Sequence, residues 1–212
     1  MSKKLIKKLL TQRLADIPGL AFSSDFIENY RYDPSPFGGL SLNEMPVIDL
    51  AGMNNCERLF SNCNINRFRG FENSNDVKNA AFMFENCVTA SEFPKFDVQN
   101  IVNGSGMFMR ARIPNFAGTF EFRSLKNGSN MFNNCEFRDA PFGDSLEFPR
   151  LEEAENMFKG SRMGSAKRLN RILMPVCVNA MSTFAGLAWL ESIKDITVGG
   201  NDARLWSMFE TC

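Results

Sequence analysis

Four acids, Asp49, Asp97, Glu121 and Glu147, recur at one place in a repeated pattern. Carboxylates brought together on neighbouring strands could bind a cation or a basic partner. At a separation of roughly 5 Å they could also serve as the nucleophile and acid of a retaining glycosidase. Six cysteines, at 56, 63, 87, 135, 177 and 212, raise disulfide, metal and thiol chemistry. Histidine is absent, which removes the commonest general base and metal ligand, and with them Ser-His and Cys-His nucleophile pairs. No CxxC set points to zinc. Asn-Gly-Ser at 103–105 and 127–129 matches a glycosylation acceptor twice, but the doubling points to a repeat instead.

The positions of these residues follow from a period. Segments such as CERLFSNC, AAFMFENC, GSGMFMRA and NGSNMFNNC place an anchor at Phe60, Phe84, Phe108, Phe132, Phe158, Phe184 and Phe209, with spacings of 24, 24, 24, 26, 26 and 25 residues. A fixed period of this length indicates a stacked array. Counted back from the anchor, positions −12, −10 and −7 are apolar in most copies, for example Phe96, Val98 and Ile101, or Leu146, Phe148 and Leu151. Alternation at −12 and −10 is a strand period. Position −4 is small or apolar (Gly104 and Gly128 among them). The spacing of −7, −4, −1/0 and +3 predicts a short helix or helical turn. The expected fold is therefore an α/β repeat solenoid: a right-handed coil with a parallel β-sheet on one face and a phenylalanine ladder as its core. It would occupy residues 46–212 as about seven repeats of 24–26 residues.

On this register the acids take position −11 and point away from the core, with Glu72 and Asn73 in the irregular second copy. The bland reading is a solvated face interleaved with Lys95 and Arg123; the sharper ones are a binding stripe or a glycan-cleaving pair. Cys63, Cys87, Cys135 and Cys212 share position +3 and Cys177 sits at −7, so buried packing thiols are expected. A Cys63–Cys87 bridge between adjacent coils is geometrically conceivable.

The segment FDVQNIVNGSGMF (96–108) resembles the repeat of the BspA-like leucine-rich repeat surface proteins, including the mycoplasma lipoprotein type. Phe96, Asp97, Asn100, Ile101, Ser105, Met107 and Phe108 match that pattern, and the +3 cysteines take its trailing cysteine position. Ala111, Ser161 and Leu187 depart from it. The resemblance spans about residues 46–212. It implies a leucine-rich-repeat-like solenoid with adhesive or structural roles, and no catalytic residues.

Residues 1–17 place Leu5, Ile6, Leu9, Leu10 and Leu14 at helical spacing, with Lys3 and Lys4 among the opposing charges. An amphipathic N-terminal helix is expected, acting as a cap, a docking element or a membrane-surface anchor. Residues 18–45, rich in Pro, Gly and Ser, read as an irregular linker or capping loop. Charge balances at 24 basic and 24 acidic residues, although the first 13 residues hold five basic groups and no acid. That balance gives no argument for nucleic acid. No run is long enough for a membrane span, and no secretory signal or lipid-accepting cysteine is read at the N-terminus.

The function expected is a non-enzymatic structural or adhesion protein without cofactor or metal. It would act as a phage virion component of tail or capsid contacting other subunits, a host receptor or a glycan. An intracellular protein-interaction module is the rival, and a glycan-active enzyme the remote third. The C-terminal edge (Trp206, Met208, Phe209) is expected to be an interface within an oligomer or larger complex, because no polar capping segment follows it in the sequence.

Overall fold

The computed structural model describes residues 21–23, 37–139, 142–164, 168–200 and 203–210. Its strands are β1 (Ala21–Phe22), β2 (Ser41–Met45), β3 (Val47–Asp49), β4 (Asn64–Phe68), β5 (Phe71–Glu72), β6 (Arg112–Ile113), β7 (Glu136–Phe137), β8 (Ser145–Glu147), β9 (Arg162–Met163), β10 (Arg168–Met174) and β11 (Ser192–Val198). Every pairing between them is parallel, and each strand pairs with its equivalents in neighbouring coils. The protein is a β-solenoid with parallel sheets and essentially no helix among the described residues.

One face carries β1-β3-β5 and, further along, β8-β10-β11. A second face carries β2-β4, continued through the single-residue bridges Asn64↔Val88↔Arg112 into β6-β7-β9. At position −5 a third ladder of bridges runs Asn55↔Asn79↔Asn103↔Asn127↔Glu153↔Asn179↔Arg204. Strands thus line more than one side of each coil, where the sequence pointed to a sheet on one face.

The expected helical segment is not a helix. Ala80, Phe82, Phe84 and Asn86 donate their N–H groups to the carbonyls of Asn103, Ser105, Met107 and Met109 in the next coil, at 2.8–2.9 Å. The alternate residues Met83, Glu85 and Cys87 donate back three positions to Ala80, Phe82 and Phe84. Alternate amides therefore close tight turns while the others hold the stack together, and no 13-atom helical ring can form. The cause is a left-handed residue at −2 and +2. These are Arg58 and Asn62, Phe82 and Asn86, Gly106 and Arg110, Asn130 and Asn134, Asn156 and Gly160, and Ser182 and Gly186, with φ between 52° and 71°. A positive φ at the third residue of a four-residue turn is the geometry of a type II turn. It is also incompatible with a right-handed helix, which needs a negative φ at every residue. The spacing of three and four that suggested one helical face is produced here by consecutive turns. Only the 3-10 turn Ser74–Asp76 is helical among the described strands and turns.

The core is a column of phenylalanine rings. Phe37, Phe60, Phe84, Phe108, Phe132, Phe158, Phe184 and Phe209 stack face to face, with centroids 5.1–5.6 Å apart and planes within 12° of parallel. The column follows directly from the winding, since one residue per turn sits above its equivalent at the strand spacing of about 4.8 Å. Edge-on rings from Phe68, Phe93, Phe137 and Phe142 pack against it. Small residues at −4 make room for the neighbouring coil's methionine: a Cβ on Gly104 would lie 2.5 Å from Met131 Cε. Phe37 extends the column one coil before the first anchor read from the sequence, and β2 lies inside the segment expected to be an irregular linker. The expected helix of residues 1–17, with Lys3, Lys4, Leu5, Ile6, Leu9, Leu10 and Leu14, lies outside the described residues, as does Cys212.

Candidate binding groove

The four acids at position −11 are each met locally. Asp49 Oδ1 accepts from the Ala51 amide at 3.0 Å and from Asn73 Nδ2 in the next coil at 2.8 Å. Asp97 Oδ1 accepts from the Gln99 amide at 2.9 Å. Glu121 pairs with Arg123 at 2.8 Å and Glu147 with Arg171 at 3.8 Å. Asp97 and Glu121 share a shallow recess of about 280 Å³ with Lys95. Among the described residues, no group of three or more Cys, Asp or Glu side chains is placed to hold a metal ion. Each acid of the stripe has a neighbouring amide or guanidinium, so the row does not form one pool of negative charge.

The cysteines are buried. Among the described residues, Cys56, Cys63, Cys87, Cys135 and Cys177 form no disulfide with one another, so the Cys63–Cys87 bridge is not formed. Burial pushes the Cys87 thiol well up, with the Cys63 thiol adding to it, and burial does the same at Cys135. Burial also pushes Cys177 up to about 11. The thiolate is the reactive species, so these residues behave as packing groups.

A larger concavity than the acidic recess lies elsewhere, on the second face. A groove of about 1210 Å³ runs over β6, β7 and β9 and on to Trp189. In each two-residue strand the first side chain points out and the second into the core: Arg112, Glu136 and Arg162 are exposed, and Ile113, Phe137 and Met163 are buried. Parallel in-register pairing, Arg112↔Glu136↔Arg162, sets these three in a row one coil apart. Arg138 lines the same groove, and small residues (Ala90, Gly160, Gly164, Gly186, Ala188) keep it open. Trp189 closes one end, its indole N–H 3.4 Å from Ser161 Oγ. Three arginines against Glu136 leave the lining at +2. Arg112 and Glu136 are 3.8 Å apart, with side chains 73% and 54% exposed. Such an open pair holds only weakly and exchanges readily for a ligand charge.

The backbone beneath the groove is already committed. The amides of Arg112, Glu136 and Arg162 donate to Cys87, Ala111 and Cys135 at 2.8–2.9 Å. Recognition in the groove must therefore come from side chains rather than from strand addition.

At the C-terminal end of the stack, Trp206 is 78% exposed and Phe209 39%, while Met208 is buried. β11 lies at the edge of its sheet, and Ile196 and Leu205 are also exposed. Trp206 and Phe209 thus lie on one exposed apolar end, and Met208 packs inward. None of the groove residues stood out in the sequence, because position +4 runs Asn64, Val88, Arg112, Glu136, Arg162, with no repeated residue type. Comparison with protein-family models, with curated proteins and with solved structures found no match to this chain.

Proposed function

We propose that this protein is a non-enzymatic structural or adhesion module that contacts another molecule through the groove on its second face. The observation that supports this reading is the row Arg112, Glu136, Arg162, held in register by parallel pairing over a groove of about 1210 Å³. A solenoid stacks equivalent positions into an extended recognition surface. The ring column beneath fixes the spacing of that surface before any partner arrives, so little ordering entropy opposes binding.

The finer assignment rests on the resemblance of residues 96–108 to the BspA-like repeat, whose bearers are displayed on surfaces. We propose that the module is a virion component of phage tail or capsid, with the exposed end at Trp206 and Phe209 packed against another subunit. Mass spectrometry of purified particles tests this. Stoichiometric recovery of its peptides from the particles is the expected result; recovery only from the soluble fraction of infected cells would overturn it and favour an intracellular interaction module.

A further inference from the structure

We infer that the groove binds a carbohydrate chain carrying carboxylates on alternate sugars; the inference rests on the groove being a contact surface. Adjacent coils stand about 4.8 Å apart, so the cationic positions at Arg112 and Arg162, two coils apart, repeat at about 10 Å. Glu136 lies between them in the same row. The complementary ligand therefore carries an anion, then a hydrogen-bond donor, then a second anion. A dense polyanion meets repulsion at Glu136, whereas a sugar chain with alternating charge presents hydroxyl or amide donors at that point.

Guanidinium groups match a carboxylate with two parallel hydrogen bonds. Trp189, half-buried, lines the groove and is an aromatic ring against which the apolar face of a sugar can pack. An extended acidic peptide fits less well. Its same-face side chains repeat at about 6.8 Å, twice the strand rise, and its backbone finds no open strand edge here because the amides under the groove are already bonded.

The test is calorimetric titration of the full-length protein with four probes: a polysaccharide of alternating glucuronate and N-acetylhexosamine, the same polymer with its carboxylates reduced, poly-L-glutamate, and single-stranded DNA. The first is expected to bind and the second not. Arg112→Ala and Arg162→Ala, both at exposed positions, should each weaken binding roughly tenfold or more, the loss expected for one charge-assisted bond. Glu147→Gln, on the other face, should leave binding unchanged. No binding of the carboxylated polysaccharide, or equal binding of its reduced form, overturns the inference. Binding of poly-L-glutamate or DNA in its place, lost in the arginine variants, overturns the carbohydrate assignment and leaves the groove as a contact surface. Polysaccharide binding that ignores both arginine substitutions overturns the inference and counts against the groove itself.

Discussion

Removing one ring from the middle of the column perturbs the structure where its reasoning is most exposed. Phe132 is fully buried, stacked 5.6 Å from Phe108 and 5.1 Å from Phe158, with Phe137 and Phe142 packed edge-on against it. A buried Phe→Ala change costs about 3–5 kcal/mol. Aromatic pairs add roughly 0.5–1.5 kcal/mol each beyond area burial, so Phe132→Ala belongs near the top of that range, at about 4–5 kcal/mol. Phe209→Ala is the internal comparison. That ring is 39% exposed and stacks on Phe184 alone within the column, so its loss should cost about 1–2 kcal/mol. Asn133→Ala, which removes partly exposed side-chain bonds to Asn130 and Asn134, should cost about 1 kcal/mol. Urea denaturation followed by circular dichroism gives the midpoints. If Phe132→Ala abolishes folding, Phe132→Leu supplies the graded version. Equal midpoint shifts for Phe132→Ala and Asn133→Ala would refute the column as the core.

Three further outcomes are expected. Gly106→Ala should destabilise the fold by more than about 1 kcal/mol, because φ is +61° and the new Cβ would lie 2.4 Å from the Phe82 ring; Asn134→Gly, at φ +53°, should change stability by only a few tenths in urea midpoint measurements. Asn79→Ala removes the cap on the Ala81 amide at 3.1 Å and should cost about 0.5–1.5 kcal/mol by the same assay. The folded pKa of Cys177, about 11, lies above the ordinary value of 9.0, so its contribution is complete below pH 9 and declines as pH climbs toward 11; melting temperatures should fall less steeply over that window in Cys177→Ala than in the parent chain.

The period and the ring column could be read from the sequence because stacking identical side chains leaves a fixed spacing of large apolar residues. The −4 glycines were legible for the same reason. The helix was misread because spacings of three and four arise equally from a helix face and from consecutive turns. The distinguishing signal was present at +2, where Asn62, Asn86, Asn134, Gly160 and Gly186 are the residue types that tolerate a left-handed backbone, and Asn recurs at −5 in five copies. At −5 the side chain caps the amide two residues on, as Asn55, Asn79, Asn103, Asn127 and Asn179 all do. The coil at Phe37 escaped notice because Pro and Gly surround it. The groove was hidden for a different reason. Its outward positions are free to vary, so Arg112, Glu136 and Arg162 share neither residue type nor sequence proximity. Only the register of parallel strands brings them together.

The central structural claim is that the amide of each anchor phenylalanine from Phe60 to Phe184 bonds to the next coil instead of to the carbonyl four residues back. Scalar couplings transmitted across hydrogen bonds, measured by NMR on isotopically labelled protein, test it directly. The structure predicts a coupling from the Phe108 amide to the Met131 carbonyl, 2.8 Å away, and from the Phe132 amide to Met157, at 2.7 Å. A coupling from Phe108 to the Gly104 carbonyl, four residues back, would mean a helix at the anchor and would contradict the β-solenoid.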